Sequence, residues 1–219
     1  MPPRTVLRYL ITAGPTREPI DPVRFLSNRS SGKMGYAIAE AVIEAGHEAI
    51  LISGPVCLAP PPRAQLIRVT TSDEMFEAVH THLPGIDVVV FAAAVADFKP
   101  AQYVPRKIKK REGMPQIALV PTRDILASLG AMPYRKFLLT GFAAETNDLA
   151  ANAQKKLLEK GCDVIVANDV STPGLGFESD NNEATLFFPY QESRVLPRSS
   201  KRELAGSLVT ILSEMQEKH

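Results

Sequence analysis

The chain lacks a surplus of charge and any long apolar run. Its 219 residues include 25 Lys or Arg and 24 Asp or Glu, which leaves a net charge of +1. Nucleic-acid-binding proteins normally carry a strong basic excess, so this balance argues against such a partner. The longest apolar run, Val88–Ala96, is about half of what a membrane span needs. The N-terminal stretch is too short and interrupted for a secretory signal. We therefore expect a soluble cytoplasmic protein with no membrane partner.

Cysteine is also scarce. Cys57 and Cys162 are far apart and belong to no paired motif, which argues against a disulfide scaffold or a CxxC metal site. The histidines show no metal-ligand spacing either; they are His47, His80, His82 and His219. The sequence therefore identifies no metal ligands.

Apolar runs alternate with helical patterns along most of the chain. The runs predict buried strands over 6–14, 48–54, 86–95, 136–144 and 163–169. They are continuous, as is typical of parallel strands covered on both faces. Ser72 or Asp73 is a candidate N-cap for the second helix, and Gly46 and Gly161 are candidate C-terminal caps. The alternation predicts a doubly wound, mostly parallel, Rossmann-like α/β sheet with helices on both faces.

Two regions depart from this alternation within what we interpret as a single domain, 1–219. Residues 98–120 contain prolines and a basic cluster, and residues 183–197 alternate like a hairpin before a final amphipathic helix, 200–217. We expect the two excursions to form a small β arm that dimerises the protein.

Two familiar phosphate-binding motifs are absent. Residues 26–34 do not fit a Walker loop, because position 27 is Ser and Met34 stands where the magnesium-binding hydroxyl is required. No G-x-G-x-x-G follows the first strand. However, Ser30, Ser31 and Gly32 offer hydroxyl and N–H groups at a helix N-terminus, where an anion is favoured, and Lys33 adds a charge. The alternative is an ordinary capped helix start.

The motifs taken in order are more specific than any one alone. The segment "ITAGPTREPIDPVRFLSNRSSGKMG" is followed by "AAAVADFKP", "KIKK", "GFAAET", "VANDV", "GFESDNNEATLF" and "LPRSSKRELA". Together they resemble the phosphopantothenoylcysteine synthetase family over nearly the whole chain. The resemblance implies a ligase that joins 4′-phosphopantothenate to L-cysteine. Bacterial members activate the carboxylate with CTP as an acyl-cytidylate and release pyrophosphate, assisted by Mg²⁺.

The resemblance also implies roles for three polar residues. Lys107 matches the family's active-site lysine and would stabilise charge on the triphosphate. Asn28 matches an asparagine linked to attack of cysteine on the acyl-cytidylate, where an uncharged amide can hold the acyl carbonyl. Arg24 would bind the substrate phosphate or carboxylate, unless it forms a surface ion pair with Asp21 or Glu18.

Other positions are implied to bind the nucleotide. Asp97 would accept hydrogen bonds from the ribose or the cytosine amine, and Lys156 and Lys160 share a helix face on which an anion would relieve their repulsion. The full predicted set is Ser30, Ser31, Gly32, Ala93, Asp97, Lys107, Asp124, Ile125, Leu126, Ala127, Phe142, Lys156 and Lys160.

One departure concerns nucleotide choice. Family members commonly read Asn-Pro-Asp-Ile where this chain has Thr122 and Arg123 before Asp124 and Ile125. A basic side chain near the base could alter the preference, so an ATP-using ligase stays a competing hypothesis. A nicotinamide- or flavin-dependent reductase and a non-catalytic nucleotide-binding module compete with it as well. Because many relatives carry a flavin-dependent decarboxylase before this domain, a separate decarboxylase is a candidate partner.

Overall fold

A computed structural model of the chain describes residues 6–110, 116–145, 148–169 and 181–218. Within these ranges the strands are β1 (Arg8–Ala13), β2 (Arg17–Pro19), β3 (Phe25–Ser27), β4 (Glu48–Ser53), β5 (Gln65–Arg68), β6 (Val88–Phe91), β7 (Phe98–Pro100), β8 (Leu119–Pro121), β9 (Leu138–Glu145), β10 (Val164–Asp169), β11 (Asn181–Phe187) and β12 (Arg194–Ser200). The helices are α1 (Lys33–Glu44), α2 (Ser72–His82), α3 (Ile125–Gly130), α4 (Leu149–Glu159) and α5 (Lys201–Gln216).

The main sheet has eight strands in the order β12-β11-β10-β9-β6-β1-β4-β5. The six strands from β10 to β5 are parallel to one another. If these six are numbered along the chain, their spatial order is 3-2-1-4-5-6, the order of dinucleotide-binding sheets. The predicted doubly wound, mostly parallel sheet is confirmed, and its strand order reverses between β1 and β6.

Helices cover both faces of the sheet. Successive β1 side chains enter different cores: Tyr9 and Ile11 pack on the face of α1 and α5, whereas Leu10 packs on the face of α2, α3 and α4. Since both faces are buried, both sets of strand positions must be apolar. This explains the continuous apolar runs in the sequence. None of the helices seen in the described ranges has the length and hydropathy needed to cross a membrane.

The predicted helix ends are correct in part. Gly46 and Gly161 follow α1 and α4 with φ angles of +86° and +59°, in the left-handed conformation that favours glycine. The N-cap of α2 is Thr71, not Ser72 or Asp73, so that prediction was wrong by one residue. Thr71 forms a capping box with Glu74, three residues later, which neither Ser72 nor Asp73 could form.

The strand β5 was not predicted. It lies at the free edge of the main sheet, where Gln65 and Arg68 are exposed and only Leu66 and Ile67 supply an apolar pair. A short edge strand needs few apolar residues because water covers much of its surface. A search for continuous apolar runs therefore overlooks it.

The predicted arm requires a correction. Residues 183–197 do form most of a hairpin, but its strands, β11 and β12, extend the main sheet beside β10 and form no separate arm. The pairing is favoured because Ala184, Leu186 and Leu196 are buried in the core shared with α5. Residues 98–110 and 116–120, the described parts of the excursion 98–120, do leave the main sheet, and β7 pairs with β8 in a two-stranded sheet of its own. A second small hairpin, β2–β3, was not predicted within the polar loop after β1.

Candidate active site

The carboxyl ends of β1 and β6 meet where the strand order reverses, the usual ligand position in such sheets. Two buried threonine hydroxyls hold the segments that follow these strands together. Thr12 Oγ1 accepts from the Ala93 N–H at 3.2 Å, and Thr16 Oγ1 accepts from the Ala96 N–H at 3.0 Å. Sequence reasoning missed these two residues. For Thr12, the signal that could have found it is its position at the end of an apolar strand.

Two glycines let the long loop after β1 return to the sheet. Gly14 and Gly32 have φ angles of +74° and +77°, and a Cβ on Gly32 would lie 2.9 Å from Val56 Cγ1 and 3.3 Å from Gly14 Cα. Gly32 is the N-cap of α1, so the first turn of that helix has no side-chain cap from this position. The first N–H groups of α1 therefore lie beside the loop for which an anion was predicted.

A cavity of about 430 Å³ lies at this edge of the sheet. It brings together residues that are distant in sequence: the loop before α1, the ends of β6, β9 and β10, and the starts of β11 and α5. Eight predicted site residues line it, namely Asn28, Ser30, Ser31, Gly32, Ala93, Asp97, Phe142 and Lys156.

A second cavity of about 310 Å³ adjoins the first. Asp97, Phe142 and Lys156 line both, so the two form one cleft along the sheet edge. The second cavity adds four predicted residues, which are Asp124, Ile125, Leu126 and Lys160. Ala127, Arg24 and Lys107 are not among the residues that line either cavity. Ala127 instead donates its N–H to Asp124 Oδ1 at 2.9 Å in the first turn of α3.

The two lysines of α4 are held by defined acceptors. Lys156 Nζ donates to the Phe142 carbonyl at 2.8 Å, and Lys160 Nζ lies 2.5 Å from Asp124 Oδ2. Burial would raise the pKa of Asp124, but hydrogen bonds from Lys160 and the Ala127 N–H, with the nearby lysine charges, lower it overall. The hydrogen bond to Asp124 raises the pKa of Lys160. Both members of the pair are therefore charged near neutral pH, at the wall of the second cavity.

Asn28 is anchored to the reversal point of the sheet. Its Nδ2 donates to the Ala94 carbonyl at 3.0 Å. Ala94 is itself fixed, because its N–H donates to the Gly14 carbonyl at 2.9 Å. A side-chain amide carries two N–H groups and an acceptor oxygen. The bond to Ala94 uses one N–H of Asn28 and so orients the second N–H and the oxygen in the first cavity.

Arg24 forms the ion pair with Asp21 that was the alternative to a substrate-binding role. Its Nε and Nη2 lie 3.0 and 2.5 Å from Asp21 Oδ2, and Nη2 also donates to the Ile108 carbonyl at 2.8 Å. Asp21 Oδ2 accepts from the Ile108 N–H at 3.2 Å. The Arg24 guanidinium, with the backbone N–H donors, holds the pKa of Asp21 well below its usual range. Lys107, beside Ile108, is exposed. The bonds from Arg24 and Asp21 to Ile108 fix the segment that contains Lys107 to the β2–β3 hairpin.

Arg123 lies at the wall of the second cavity, but its charged group is bound to α2. Its Nη1 donates to Glu77 Oε1 at 2.8 Å, its Nε donates to Asp73 Oδ1 at 3.2 Å, and its guanidinium carbon lies 3.8 Å from the centre of the Phe76 ring. The predicted effect of a basic side chain on the nucleotide base is therefore weakened by these partners, which already compensate its charge.

Three residues of the first cavity were missed by sequence reasoning. Asn168 lies one residue before the end of β10, Asn182 lies on β11 and Lys201 begins α5. Asn182 and Lys201 are 2% and 7% exposed. Within the described ranges Asn168 Oδ1 is buried and has no hydrogen-bond partner. Buried polar side chains that face a cavity are a signal of ligand binding, but their burial is visible only in the fold.

The described residues contain no group of three or more His, Cys, Asp or Glu side chains that could hold a metal ion. Asp97 and Asp124 are carboxylates at the cleft, and Asp124 is already paired with Lys160. A magnesium ion would fit here only if phosphate oxygens and water supplied most of its ligands, which is a common arrangement for that ion.

The fold and the cleft define an α/β protein with a candidate ligand site at the carboxyl edge of a Rossmann-like sheet. Comparison with family models assigns a protein of this class to one family. Residues 5–215 match the model described as the DNA/pantothenate metabolism flavoprotein C-terminal domain. The chain belongs to this family.

Curated relatives support the same assignment. The chain is 44% identical over 209 residues to the coenzyme A biosynthesis bifunctional protein CoaBC of Vibrio vulnificus strain YJ016, covering 94% of this chain and 51% of that protein. It is 47% identical over 201 residues to CoaBC of Bacillus subtilis strain 168, covering 91% and 49%. The chain therefore spans about half the length of these relatives.

Solved structures show the same fold. The C-terminal domain of a CoaBC protein superposes with a TM-score of 0.83 at 43% identity, covering 97% of each chain. A mutant of Cab2, solved in complex with phosphopantothenate-cysteine, superposes with a TM-score of 0.78. That match covers 97% of this chain and 88% of the other at 19% identity, which shows likeness of fold alone.

Proposed function

We propose that the protein is a phosphopantothenate–cysteine ligase of coenzyme A biosynthesis that activates the acid with CTP. The observation that carries the proposal is the single cleft at the sheet edge. It combines Asn28, Asp97 and Lys156 with the N-terminus of α1, in a chain whose residues 5–215 match its family.

The two adjoining cavities suit the two parts of a nucleotide. The second cavity offers an aromatic ring, Phe142, and the carboxylates of Asp97 and Asp124 for the base and ribose. The first cavity offers the hydroxyls of Ser30 and Ser31 and the start of α1 for the phosphates. Lys156 lies at both cavities, so its ammonium can neutralise charge where the two parts of the nucleotide join.

Activation is the first chemical step. A carboxylate oxygen of phosphopantothenate attacks the α-phosphorus of CTP, the bond from that phosphorus to the bridging oxygen breaks, and pyrophosphate leaves. Negative charge accumulates at the reacting phosphoryl group, so positioned cations lower the barrier. We assign this role to Lys107, whereas Lys156 contributes to binding of the nucleotide. Arg24 acts on Lys107 indirectly, because it binds Asp21 and Ile108 and so holds the Lys107 segment.

Amide formation is the second step. The amine of cysteine attacks the acyl carbon, the bond from that carbon to the phosphate oxygen breaks, and CMP leaves. Asn28 is oriented by its bond to Ala94, and its second N–H can donate to the acyl oxygen as charge develops there. Mg²⁺, held by phosphates and water, would supply further charge neutralisation when bound.

A pyrophosphate-release assay tests this proposal. The protein is incubated with 4′-phosphopantothenate, L-cysteine and CTP, ATP, GTP or UTP in turn, and the amide product is identified by mass spectrometry. We expect pyrophosphate and 4′-phosphopantothenoylcysteine with CTP, and much less with ATP, GTP or UTP. Amide formation with ATP alone would retain the ligase and reject the CTP preference. No pyrophosphate with any nucleotide would reject the ligase and favour a reductase.

We also propose that the protein is a homodimer joined through the two small hairpins, β2–β3 and β7–β8. Both hairpins expose large apolar side chains, namely Val23, Phe25, Phe98, Leu119 and Val120. Clustered exposed apolar side chains mark interaction surfaces. A decarboxylase is proposed as a further partner, because the CoaBC relatives carry two activities by name.

Sedimentation equilibrium tests the dimer. Leu119→Lys should shift the protein towards the monomer, because it places a charge in the proposed interface. Leu158→Lys is the control, since Leu158 is also exposed but lies on α4. A monomeric unmodified protein, or dissociation only by the control substitution, would reject the proposed interface.

A further inference from the structure

Glu18 is a buried carboxylate that the proposed mechanism does not use. It lies in the middle of β2, and only 1% of the residue is exposed. Burying a carboxylate is costly unless hydrogen-bond donors or an opposite charge compensate it. Arg24, which the sequence offered as a partner, binds Asp21 instead. The burial of Glu18 therefore depends on other contacts.

The N-terminus of α2 supplies the compensation. Glu18 Oε1 accepts a hydrogen bond from the Ser72 N–H at 2.8 Å, and Ser72 is the first residue of that eleven-residue helix. The positive end of the helix dipole favours a carboxylate at this position. One residue before Glu18, the Arg17 N–H donates to the Thr70 carbonyl at 2.7 Å. Two consecutive residues of β2 are thus bonded to the segment that starts α2.

α2 is itself fixed to the main sheet. Its Met75 and Val79 are fully buried in the core that also contains Leu10 of β1 and Ile52 of β4. The β2–β3 hairpin, in contrast, is a two-stranded sheet outside the main one. The bonds to the start of α2 therefore locate this hairpin relative to the main sheet.

The hairpin in turn locates the backbone of Asn28. β2 pairs with β3 in a register that places Arg17 opposite Ser27, and Asn28 is the next residue along the chain. Ser27 Oγ also donates to the Thr16 carbonyl at 2.7 Å. The bond from Asn28 to the Ala94 carbonyl orients the side-chain amide, whereas the hairpin holds the main chain from which that amide projects.

We propose that Glu18 is a positioning residue for amide formation. Its carboxylate, bound at the start of α2, holds the β2–β3 hairpin so that Asn28 meets the acyl carbonyl. This inference deepens the proposed ligase function and rests on it for the reaction. A positioned group that moves by about 1 Å can lose a large factor in rate, so a loosened hairpin slows the step that uses Asn28.

Single-turnover kinetics of Glu18→Gln test the catalytic part. We expect acyl-cytidylate to form and then to be converted into amide about tenfold more slowly, because glutamine keeps an acceptor oxygen but loses the charge that the helix start favours. In an Asn28→Asp background, Glu18→Gln should slow this conversion no further, since Glu18 acts through Asn28.

Glu74→Gln is the matched control. Glu74 is an exposed carboxylate in the capping box of the same helix, and it is not among the residues that line either cavity. It should therefore leave the conversion rate unchanged. A normal conversion rate in Glu18→Gln, or an equal loss in Glu74→Gln, would overturn the inference, because the second result would assign the effect to the stability of α2.

Hydrogen exchange measured by mass spectrometry separates this inference from the ligase proposal, since it requires no turnover. Glu18→Gln should speed exchange about tenfold in peptides that cover β3 and Asn28, whereas Glu74→Gln should speed it only at the start of α2. If the unmodified protein shows no ligase activity, faster exchange still supports anchoring of the hairpin by Glu18 and rejects only its link to amide formation.

Ser72→Pro carries the same test if Glu18→Gln does not fold. Proline is well tolerated at the first position of a helix, and it removes the N–H that donates to Glu18. No side-chain bond is lost, because Ser72 Oγ has no hydrogen-bond partner among the residues that the structure describes. Exchange of β3 within twofold of normal in both variants would overturn the inference, whether or not the protein is a ligase.

Discussion

The two sets of cations proposed for the reaction are built on different kinds of structure. Lys156 and Lys160 lie on α4, which packs onto the main sheet through the buried Ala153 and Leu157. Arg24 and the exposed Lys107 lie beside small hairpins that expose apolar side chains. We call α4 and its sheet the rigid half and propose that it holds the nucleotide. The two small hairpins and the Lys107 segment, which we call the hairpin half, are fixed by a few hydrogen bonds and would be completed by a second subunit in the proposed dimer.

The comparison also separates binding from chemistry. The triphosphate is already anionic when it binds, so a cation that contacts that existing charge stabilises the ground state and the transition state alike and contributes mainly to affinity. A cation on a segment beside the cleft can approach the reacting group as charge develops. We therefore expect substitutions on α4 to alter nucleotide affinity and substitutions on the hairpin side to alter turnover.

The largest expected effect comes from Lys107→Gln. We expect kcat for pyrophosphate release to fall by at least about a hundredfold, because charge stabilisation in the transition state is lost. Since Lys107 is exposed, the thermal unfolding midpoint should not change. Lys109→Gln in the same segment is the control and should retain activity. A Lys107→Gln protein with normal turnover would contradict the assignment of chemistry to the hairpin half.

The second effect separates the two half-reactions. Asn28→Asp should still release pyrophosphate but make about a hundredfold less amide, because a carboxylate cannot donate to the acyl oxygen and faces the Ala94 carbonyl. Mass spectrometry of the quenched protein should then detect bound acyl-cytidylate. Amide and pyrophosphate formed in equal amounts at the normal rate would remove Asn28 from the second step.

A smaller effect is expected on the rigid half. Lys156→Ala should raise the Kd for CTP about tenfold, as is typical for loss of one charge-assisted hydrogen bond, and leave kcat within a few fold. Lys155→Ala is the control, because Lys155 is exposed and pairs only weakly with Glu159 at 3.8 Å. Equal CTP affinities for the two variants, measured by calorimetry, would remove the distinction between the two halves.

The smallest effect concerns the sheet that supports both halves. Burial raises the pKa of Tyr9 to about 12 from its ordinary value near 10, against the lowering effect of its hydrogen bond with Ser213. A raised acid pKa favours the neutral form in the folded state, so stability present below pH 10 is lost between about pH 10 and 12. Urea unfolding should show this loss, up to roughly 3 kcal/mol for a two-unit shift.

Tyr9→Phe should lose that part of the alkaline dependence at the cost of its hydrogen bond to Ser213. Tyr190→Phe is the control, since Tyr190 is 99% exposed and should leave the dependence unchanged. The same alkaline slope in the Tyr9→Phe protein would assign the effect to another group, such as Cys162, whose pKa burial raises to about 12.

The fold was predictable where one local pattern is enough. Buried parallel strands must be apolar on both faces, so β1, β4, β6, β9 and β10 are visible as continuous runs. Pairing between distant segments is not encoded locally. The hairpin pattern of 183–197 was recognisable, but nothing in those residues indicates that β11 joins β10 in the main sheet.

The same limit applies to the site. Ser30 to Gly32 were identifiable because a helix start is a local feature, and Asp97, Phe142 and Lys156 were proposed through the family resemblance. Lys201 was missed because a lysine at a helix start normally faces water, as Arg202 does. Arg24 could have served either role by sequence, and only the fold shows that Asp21 and Ile108 engage it.

A crystal soaked with CTP and 4′-phosphopantothenate, without cysteine, tests the central claim most directly. We predict acyl-cytidylate density with its cytosine in the cavity that contains Asp124 and Lys160, and its phosphate beside Ser30, Ser31 and Lys156. Density at another surface of the protein, or an empty cleft at saturating ligand, would contradict the claim.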